Sequence, residues 1–436
     1  MDLKQEIAKL KSSTLARNAG WMFLGQGLGL IFQTTYFIVL ARLLGSREYG
    51  IYAGTFALVS MASQYSTIGS GTIFLRYVSP DRSKFPVYWG NILIITCSIS
   101  VLVALVLHLT AHYILNPQSA ALIFPAAVSV CFCTQIAVAA GQVFQAFEQL
   151  RVTAMMNLMT NIMRAIAAVS MLFVLHRATA WQWVVVSLFV SLAGAVIAVT
   201  TVTIRLGRPK FDLSLLRRHA AEGLQYSFSQ STSSAYNDVD KTMLSHYGMN
   251  VANGIYSMAY RVVEIASIPV FSVRDAATPK FFQQGAKGIE HSAALGRSLL
   301  KRAMLLGVFA ATCIFVFAPI IPHIIGKDFT ESVNALRWLS LIPFFRSIHQ
   351  ITGTALMGAG LQRYRTSSQC IAAAVNFGLN LWLIPAYSWR GAAWSSLFTD
   401  ALLGGMNWFM LSYAVRAAAR RAAAKVEMSQ VALAKE

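Results

Sequence analysis

Charge is the scarcest ingredient of this sequence. Only 12% of its 436 residues are charged, whereas 56% are hydrophobic. A soluble globular chain carries roughly 25% charged residues, enough to cover a wet exterior. An apolar excess of this size cannot be hidden inside a water-soluble fold. Mean hydropathy is +0.55, so the excess runs through the chain and lipid becomes the natural solvent. Acid is rarer than base, with 17 Asp+Glu against 36 Lys+Arg and a net charge of +19. The bases sit between apolar blocks and not in a stripe interleaved with aromatics, which argues against nucleic acid as a partner.

Cysteine is also sparse. Cys97, Cys131, Cys133, Cys313 and Cys370 all fall in apolar segments. They read as inert buried thiols and imply neither a disulfide framework nor a metal site. No Ser-His-Asp set and no P-loop lysine motif occurs, so the chain reads as no enzyme, with no cofactor. Gly25 to Gly29 imitates a nucleotide loop, but it follows no strand; its Gly-x-x-x-Gly spacing predicts close helix packing instead. His108 and His112 have the i, i+4 spacing of a zinc helix without the intervening Glu. No metal is expected there.

Long apolar runs are abundant. A spanning helix needs about 20 apolar residues. Twelve segments qualify, near 19–41, 49–74, 88–110, 119–145, 153–175, 180–205, 223–247, 251–274, 299–325, 332–357, 367–387 and 391–415. The first is full spanning length behind a long basic region, unlike a cleavable signal peptide. Before it, Leu3, Ile7 and Leu10 are spaced for one face of a short interfacial helix. Loop charge fixes the expected orientation. The N-terminus, the even-to-odd loops and the C-terminus together hold 25 Lys/Arg, whereas the alternate loops hold only Arg42, Arg47, Arg177, Lys327 and Arg390. Cytoplasmic loops collect such residues, so both termini are expected in the cytoplasm.

The chain reads as duplicated. Leu43 to Ala53 joins the first two spans, and His246 to Ser257 joins the seventh and eighth. Each stretch carries Gly-Ile-Tyr, at Gly50 and again at Gly254, 204 residues apart with one residue more in the second joint. Six helices per copy insert both copies the same way up, as in parallel repeats about an axis along the membrane normal. The expected organisation is an N-terminal six-helix half over 1–206, a basic cytoplasmic linker over 207–222, a second half over 223–415, and a basic tail over 416–436. The fold class is all-α, a polytopic membrane protein of about twelve transmembrane helices in two such repeats around a central cavity.

Polar residues inside the spans are the most informative. A charge near mid-bilayer costs at least about 2.5–3.5 kcal/mol and usually faces an interior cavity. Arg164, Arg261 and Arg346 each fall about ten to fourteen residues into a span, near mid-membrane at about 1.5 Å per residue. Arginine suits diphosphate because its planar fork donates bidentately. Arg261 has an alternative, since Glu264 is three residues on along the same helix face. The seventh span is almost too polar for lipid, with Ser227, Ser229 to Ser234, Asn237, Asp238, Asp240 and Lys241. It must line water or protein. Asn237 and Lys241 are candidates for substrate binding beside the three arginines, although Asp238 and Lys241 are placed to neutralise each other. Asp238, Asp240, Glu264 and Asp400 are candidates for ion coupling. Pro269, Pro279, Pro319, Pro322, Pro343 and Pro385 predict helix kinks or ends.

Three stretches also resemble a known family. They are LARLLGSREYGIYA at Leu40–Ala53, Asp240-Lys241 followed by GIYSMAYR at Gly254–Arg261, and NFGLNLWLIPAYSWRGAAW at Asn376–Trp394. These resemble the polysaccharide-transporter family, the Wzx-type oligosaccharide-lipid flippases. That family shares a superfamily with the multidrug exporters and the peptidoglycan-precursor flippases. The resemblance implies transfer of undecaprenyl-diphosphate-linked oligosaccharide from the inner to the outer leaflet, by alternating access, for surface polysaccharide such as O-antigen, exopolysaccharide or capsule. It implies the bacterial cytoplasmic (inner) membrane as location. The partners it implies are the lipid-linked substrate, membrane lipids, a polysaccharide polymerase and chain-length proteins. Two alternatives stay open, a multidrug or cation antiporter and a peptidoglycan lipid precursor flippase.

Overall fold

The computed structural model describes residues 14–433, with side chains over 27–212 and 220–420. The amphipathic stretch at Leu3, Ile7 and Leu10 lies outside the described residues. Every regular element among the described residues is helical. Seven stretches are long and apolar enough to cross a bilayer by length and composition alone. The first of these, Gly27–Ser63, overlaps the first two expected spans, and the expected seventh, eighth, tenth and twelfth spans are not among the seven.

The chain packs as two compact units. Unit 1 runs to Gly254 and takes in Ile324–Asp328; unit 2 is Ile255–His323 with Phe329 onward. In unit 1, α1 (Thr14–Ser63) is drawn as one helix but is broken at Gly45, whose φ of 67° and ψ of 176° leave the helical region. The chain continues through α2 (Ser70–Val78) and α3 (Phe85–Ile114) to two short helices, α4 (Pro117–Ala121) and α5 (Ile123–Ala127). A π-helical stretch, Val128–Thr134, leads into α6 (Gln135–Ala146). Long helices α7 (Leu150–Leu175), α8 (Ala180–Leu206) and α9 (Leu213–His246) follow. Helix α10 (Asn250–Ala266) carries the chain into unit 2.

Unit 2 continues with α11 (Ile268–Gly285), α12 (Ile289–Phe317), α13 (Ile321–Ile325), α14 (Ser332–Leu339), α15 (Ile342–Gly358), α16 (Gln362–Tyr387) and α17 (Trp389–Leu433). The prolines do what their chemistry requires. Pro269 and Pro343 sit in first turns, where the missing N–H has no helical partner to lose. Pro385 lies in the last turn of α16, and Pro279 is the one inside α11.

Exposure is inverted relative to a soluble protein. On α3, Val101, Leu102, Leu105, Val106 and Leu109 form an exposed stripe, as do Leu305, Phe309, Phe315 and Val316 on α12. Lipid tails are as apolar as these side chains, so burial alone cannot hold the helices together; close packing and hydrogen bonds must. Helix α12 accordingly buries Ala303, Gly307, Ala310 and Ala311. A Cβ on Gly307 would stand 2.8 Å from the Phe344 Cα, so α12 and α15 touch backbone to backbone. The cysteines differ from the uniform burial expected. Cys131 and Cys133 are buried, but Cys97 is exposed on α3, and Cys313 and Cys370 are half-buried. Helix periodicity places Cys97 on the outward side, a position the apolar run alone could not reveal.

The duplicated joints meet each other within unit 1. Gly45 has φ of 67° and Gly248, its counterpart, 71°. Both need the left-handed backbone that only glycine adopts freely. A Cβ on Gly50 would stand 1.8 Å from the Asn250 carbonyl oxygen, and one on Gly254 would stand 1.8 Å from that of Ser46. Ser46 and Asn250 are themselves 204 residues apart, like the two triplets. The contact is therefore reciprocal, as a local two-fold axis requires. Polar side chains close the same end. Asn253 donates to the Gly50 carbonyl at 2.9 Å, Asn116 reaches Ser245 and Asn250, and Arg177 pairs with Asp328 at 2.7 Å beside Gly45.

Overpacking a close backbone contact costs typically about 1–3 kcal/mol, whereas Gly to Ala in open helix gains about 0.5–1 kcal/mol. Gly50→Ala and Gly254→Ala should each lower the thermal unfolding midpoint of the purified protein by several degrees. Gly378→Ala, with nothing within 4 Å of its added methyl, should leave the midpoint equal or raise it.

Candidate functional site

The polar residues foreseen on the seventh span lie on α9, which packs along α1 in unit 1. Many hold their own helix. Asn237 donates to the Ser233 carbonyl, and Lys241 Nζ reaches the Asn237 carbonyl at 2.9 Å and the Asp238 carboxylate at 2.5 Å. Asp240 is fully buried and accepts from the Lys241 backbone N–H at 2.7 Å. The expected neutralisation of Lys241 by Asp238 is thus present. Ser231 crosses to the Met61 carbonyl.

Arg164 lies near the middle of α7 and is half-buried. Helix α7 packs against α1. The guanidinium makes no ion pair or hydrogen bond among the described residues. An arginine with no carboxylate at this depth is costly unless something anionic meets it.

The other two arginines are on unit 2 and both have carboxylates. Arg261 pairs with Glu264 at 2.6 Å, as the three-residue spacing on one helix face allows. Arg346 is 4% exposed on α15. Its Nε is 3.8 Å from Asp400 on α17, and its Nη2 donates to the Tyr260 hydroxyl at 2.5 Å. Its charge also sits over the Tyr260 ring, 5.2 Å from the centroid.

His349, one turn beyond Arg346, completes this cluster. Its ring nitrogen is 3.3 Å from the other oxygen of Asp400. A buried carboxylate therefore stands between a permanent cation and the one side chain whose ordinary charge change falls near neutral pH. The cluster continues as a buried polar spine. Asn376 donates to Thr399, Asn380 donates to Asn376, and Ser395 donates to Asn380. Tyr256 pairs with Ser396 at 2.9 Å. In lipid such groups must find one another, because no water is present to satisfy them.

The structure thus gathers Arg346 with Asp400, Arg261 with Glu264, and Lys241 with Asp238 and Asn237. His349, Tyr260 and the asparagine spine are absent from the sequence-based candidates. The i, i+4 pairs Asn376/Asn380 and Ser396/Asp400 were the available signal, together with Arg346/His349 at i, i+3. Among the described residues no three His, Cys, Asp or Glu side chains gather as a metal site.

Removing one partner of a buried ion pair costs about 3–5 kcal/mol, whereas replacing both by apolar groups is often neutral. Asp400→Asn should therefore destabilise the protein strongly in a detergent melting experiment. Arg346→Met combined with Asp400→Leu should recover most of the loss.

No curated protein matches the chain in sequence. Among solved structures, an inward-facing multidrug-resistance MATE transporter of the MOP superfamily aligns with a TM-score of 0.69 at 12% identity, covering 91% of this chain and 99% of that one. An outward-facing MATE transporter of that superfamily aligns at 0.64 and 12% identity, covering 94% and 97%. The lipid II flippase MurJ, in an inward closed conformation, aligns at 0.66 and 11% identity, covering 91% and 87%. At these identities the likeness establishes the fold alone, a polytopic helical membrane architecture. A sequence family described as polysaccharide biosynthesis protein matches residues 15–284. That match takes in well over half of the chain, which therefore belongs to the polysaccharide biosynthesis protein family.

Proposed function

We propose that this protein is a flippase that moves undecaprenyl-diphosphate-linked oligosaccharide repeat units from the inner to the outer leaflet of the bacterial cytoplasmic membrane, by alternating access. Family membership supports polysaccharide assembly as the setting, and the transporter fold supports movement across the bilayer over catalysis. Arg164 carries the anionic half of the proposal. It is a mid-span guanidinium without a carboxylate partner among the described residues, on a helix that packs against α1, as does the hydroxyl- and amide-rich α9. The diphosphate meets Arg164, while Asn237, Lys241 and the other polar groups of α9 meet sugar hydroxyls. Arg261 and Arg346 join substrate binding only by exchanging Glu264 and Asp400 for phosphate. Those exchanges would release a carboxylate as substrate arrives.

Release of that kind offers a route to ion coupling. Asp238 and Glu264 are held by Lys241 and Arg261, and Asp240 by its own helix. Asp400 faces both Arg346 and His349 and is the carboxylate best placed to gain a proton or cation. Energetics favour outward movement even without coupling. A headgroup of about −2 charge leaving an inside-negative cell at about 100 mV gains roughly 4–5 kcal/mol. A multidrug or cation antiporter of the same fold would need cavity acids left open for a cation. Asp238, Glu264 and Asp400 are paired with bases instead, which favours the anionic substrate.

Arg164→Gln should abolish translocation of a fluorescent undecaprenyl-diphosphate-linked sugar in proteoliposomes, at unchanged reconstitution. Wild-type transport by this variant would remove the diphosphate assignment. The pair Arg346→Met with Asp400→Leu should fold yet lose ion-driven transport. Retention of both would make that cluster purely structural.

A further inference from the structure

A second polar feature lies away from these residues, on unit 2 alone. Where α12 and α16 end and α14 and α17 begin, a cleft of about 810 Å³ opens. In the orientation expected from loop charge, this end faces the outer leaflet. Three rings pack along the cleft: Trp394 lies 5.6 Å from Trp338, edge to face, and 5.1 Å from Tyr387, tilted, centroid to centroid. Arg337 and Arg390 also line it. Their guanidiniums rest only on aromatic faces, 5.4 Å over Phe315 and 5.5 Å over Trp389. Neither makes an ion pair or hydrogen bond among the described residues, and no acid lines the cleft. Between Tyr387 and Trp389, Ser388 takes a φ of 54°, strained for a residue with a side chain, and the turn it makes carries both flanking rings and Arg390.

A belt of interfacial aromatics accounts for separate Trp and Tyr rings at headgroup level. It does not account for rings packed on one another along a concave wall with two unpaired cations beside them. Each ring face is negative and receives the positive C–H edge of a sugar ring. Each guanidinium is a fork matched to phosphate. The volume is in the range that accepts a small ligand. We propose that this cleft binds the glycosyl-diphosphate head of the lipid-linked oligosaccharide after translocation, with the sugar on Trp338 and Tyr387, the phosphates on Arg337 and Arg390, and the isoprenoid tail in the adjoining bilayer. The site retains product at the outer face until the next reaction, a glycosyl transfer, consumes it. The inference rests on the flippase reading.

The test uses the full chain in phosphatidylcholine nanodiscs, with undecaprenyl-diphosphate-linked N-acetylglucosamine bearing a photoreactive group on the sugar. Cross-links should map to residues 334–341 or 387–397. Arg337→Gln with Arg390→Gln should weaken binding at least ten-fold, and the double lysine variant should recover part of it. Trp338→Ala with Tyr387→Ala, both exposed positions, should weaken the sugar-bearing probe but not undecaprenyl diphosphate without sugar. Monodisperse elution of each variant checks that it has folded. Equal displacement of the probe by phosphatidylglycerol would mark an ordinary lipid site and overturn the assignment. Wild-type affinity in both double variants would overturn it too, with the flippase reading intact as long as the protein still translocates the probe. A wild-type protein that neither binds nor moves the probe would sink the flippase reading itself.

Discussion

A guanidinium cannot be deprotonated to escape a bilayer, so its position in this protein dictates what must surround it. Arg346 shows the requirement met in full, with a carboxylate, a tyrosine hydroxyl and a ring face within reach. Three helices contribute, since Tyr260 is on α10, Arg346 on α15 and Asp400 on α17. The pair therefore holds the polar interior of unit 2 in register. The asparagine and serine spine between α16 and α17 repeats the logic with neutral groups. Within a membrane, where apolar burial supplies no net pull, such contacts and the small-residue seams decide which helix faces which.

The same constraint separates charge neutralised within its own helix from charge that is not. Arg261 and Lys241 have carboxylates three residues away on their own helices, so their partners come with the local fold. Arg346 obtains its carboxylate from another helix, so its pairing depends on how unit 2 is packed and can change when the packing does. Arg164 has none among the described residues. The order Lys241, Arg261, Arg346, Arg164 runs from locally neutralised to unpaired, and demand for an external anion rises along it.

Much of the architecture was legible because membrane helices declare themselves by length and apolarity. The helical class, the polar seventh span and the Arg261–Glu264 pair follow from composition and spacing. The doubled Gly-Ile-Tyr joint was legible as a repeat; its meaning was not. Only the fold shows that the two joints interlock, with each triplet glycine admitting the other joint's carbonyl. His349 was passed over because one histidine among apolar neighbours carries no signal until Asp400, 51 residues away, is placed beside it. The break at Gly45 and the π-helical stretch in the fourth span were hidden for a related reason. Both depend on backbone torsions that tertiary contacts select, which an apolar run of ordinary length does not encode.

On the proposed function, charge asymmetry ties these observations together. In the orientation expected from loop charge, the basic surplus stays on the cytoplasmic side and does not cross the field. Within the spans most bases are matched by acids, so the proposed alternating access would move little protein charge, and the moving charge would be chiefly that of the cargo. On the proposed function, a doubly anionic head carried outward would fall through the membrane potential, and a protein whose own pairs stay neutral would let that fall act on transport undiminished. On that proposal Arg164 would have to be strong enough to draw the phosphates from water, yet alone enough to let them leave, because a second unpaired guanidinium at the same depth would turn a passage into a trap.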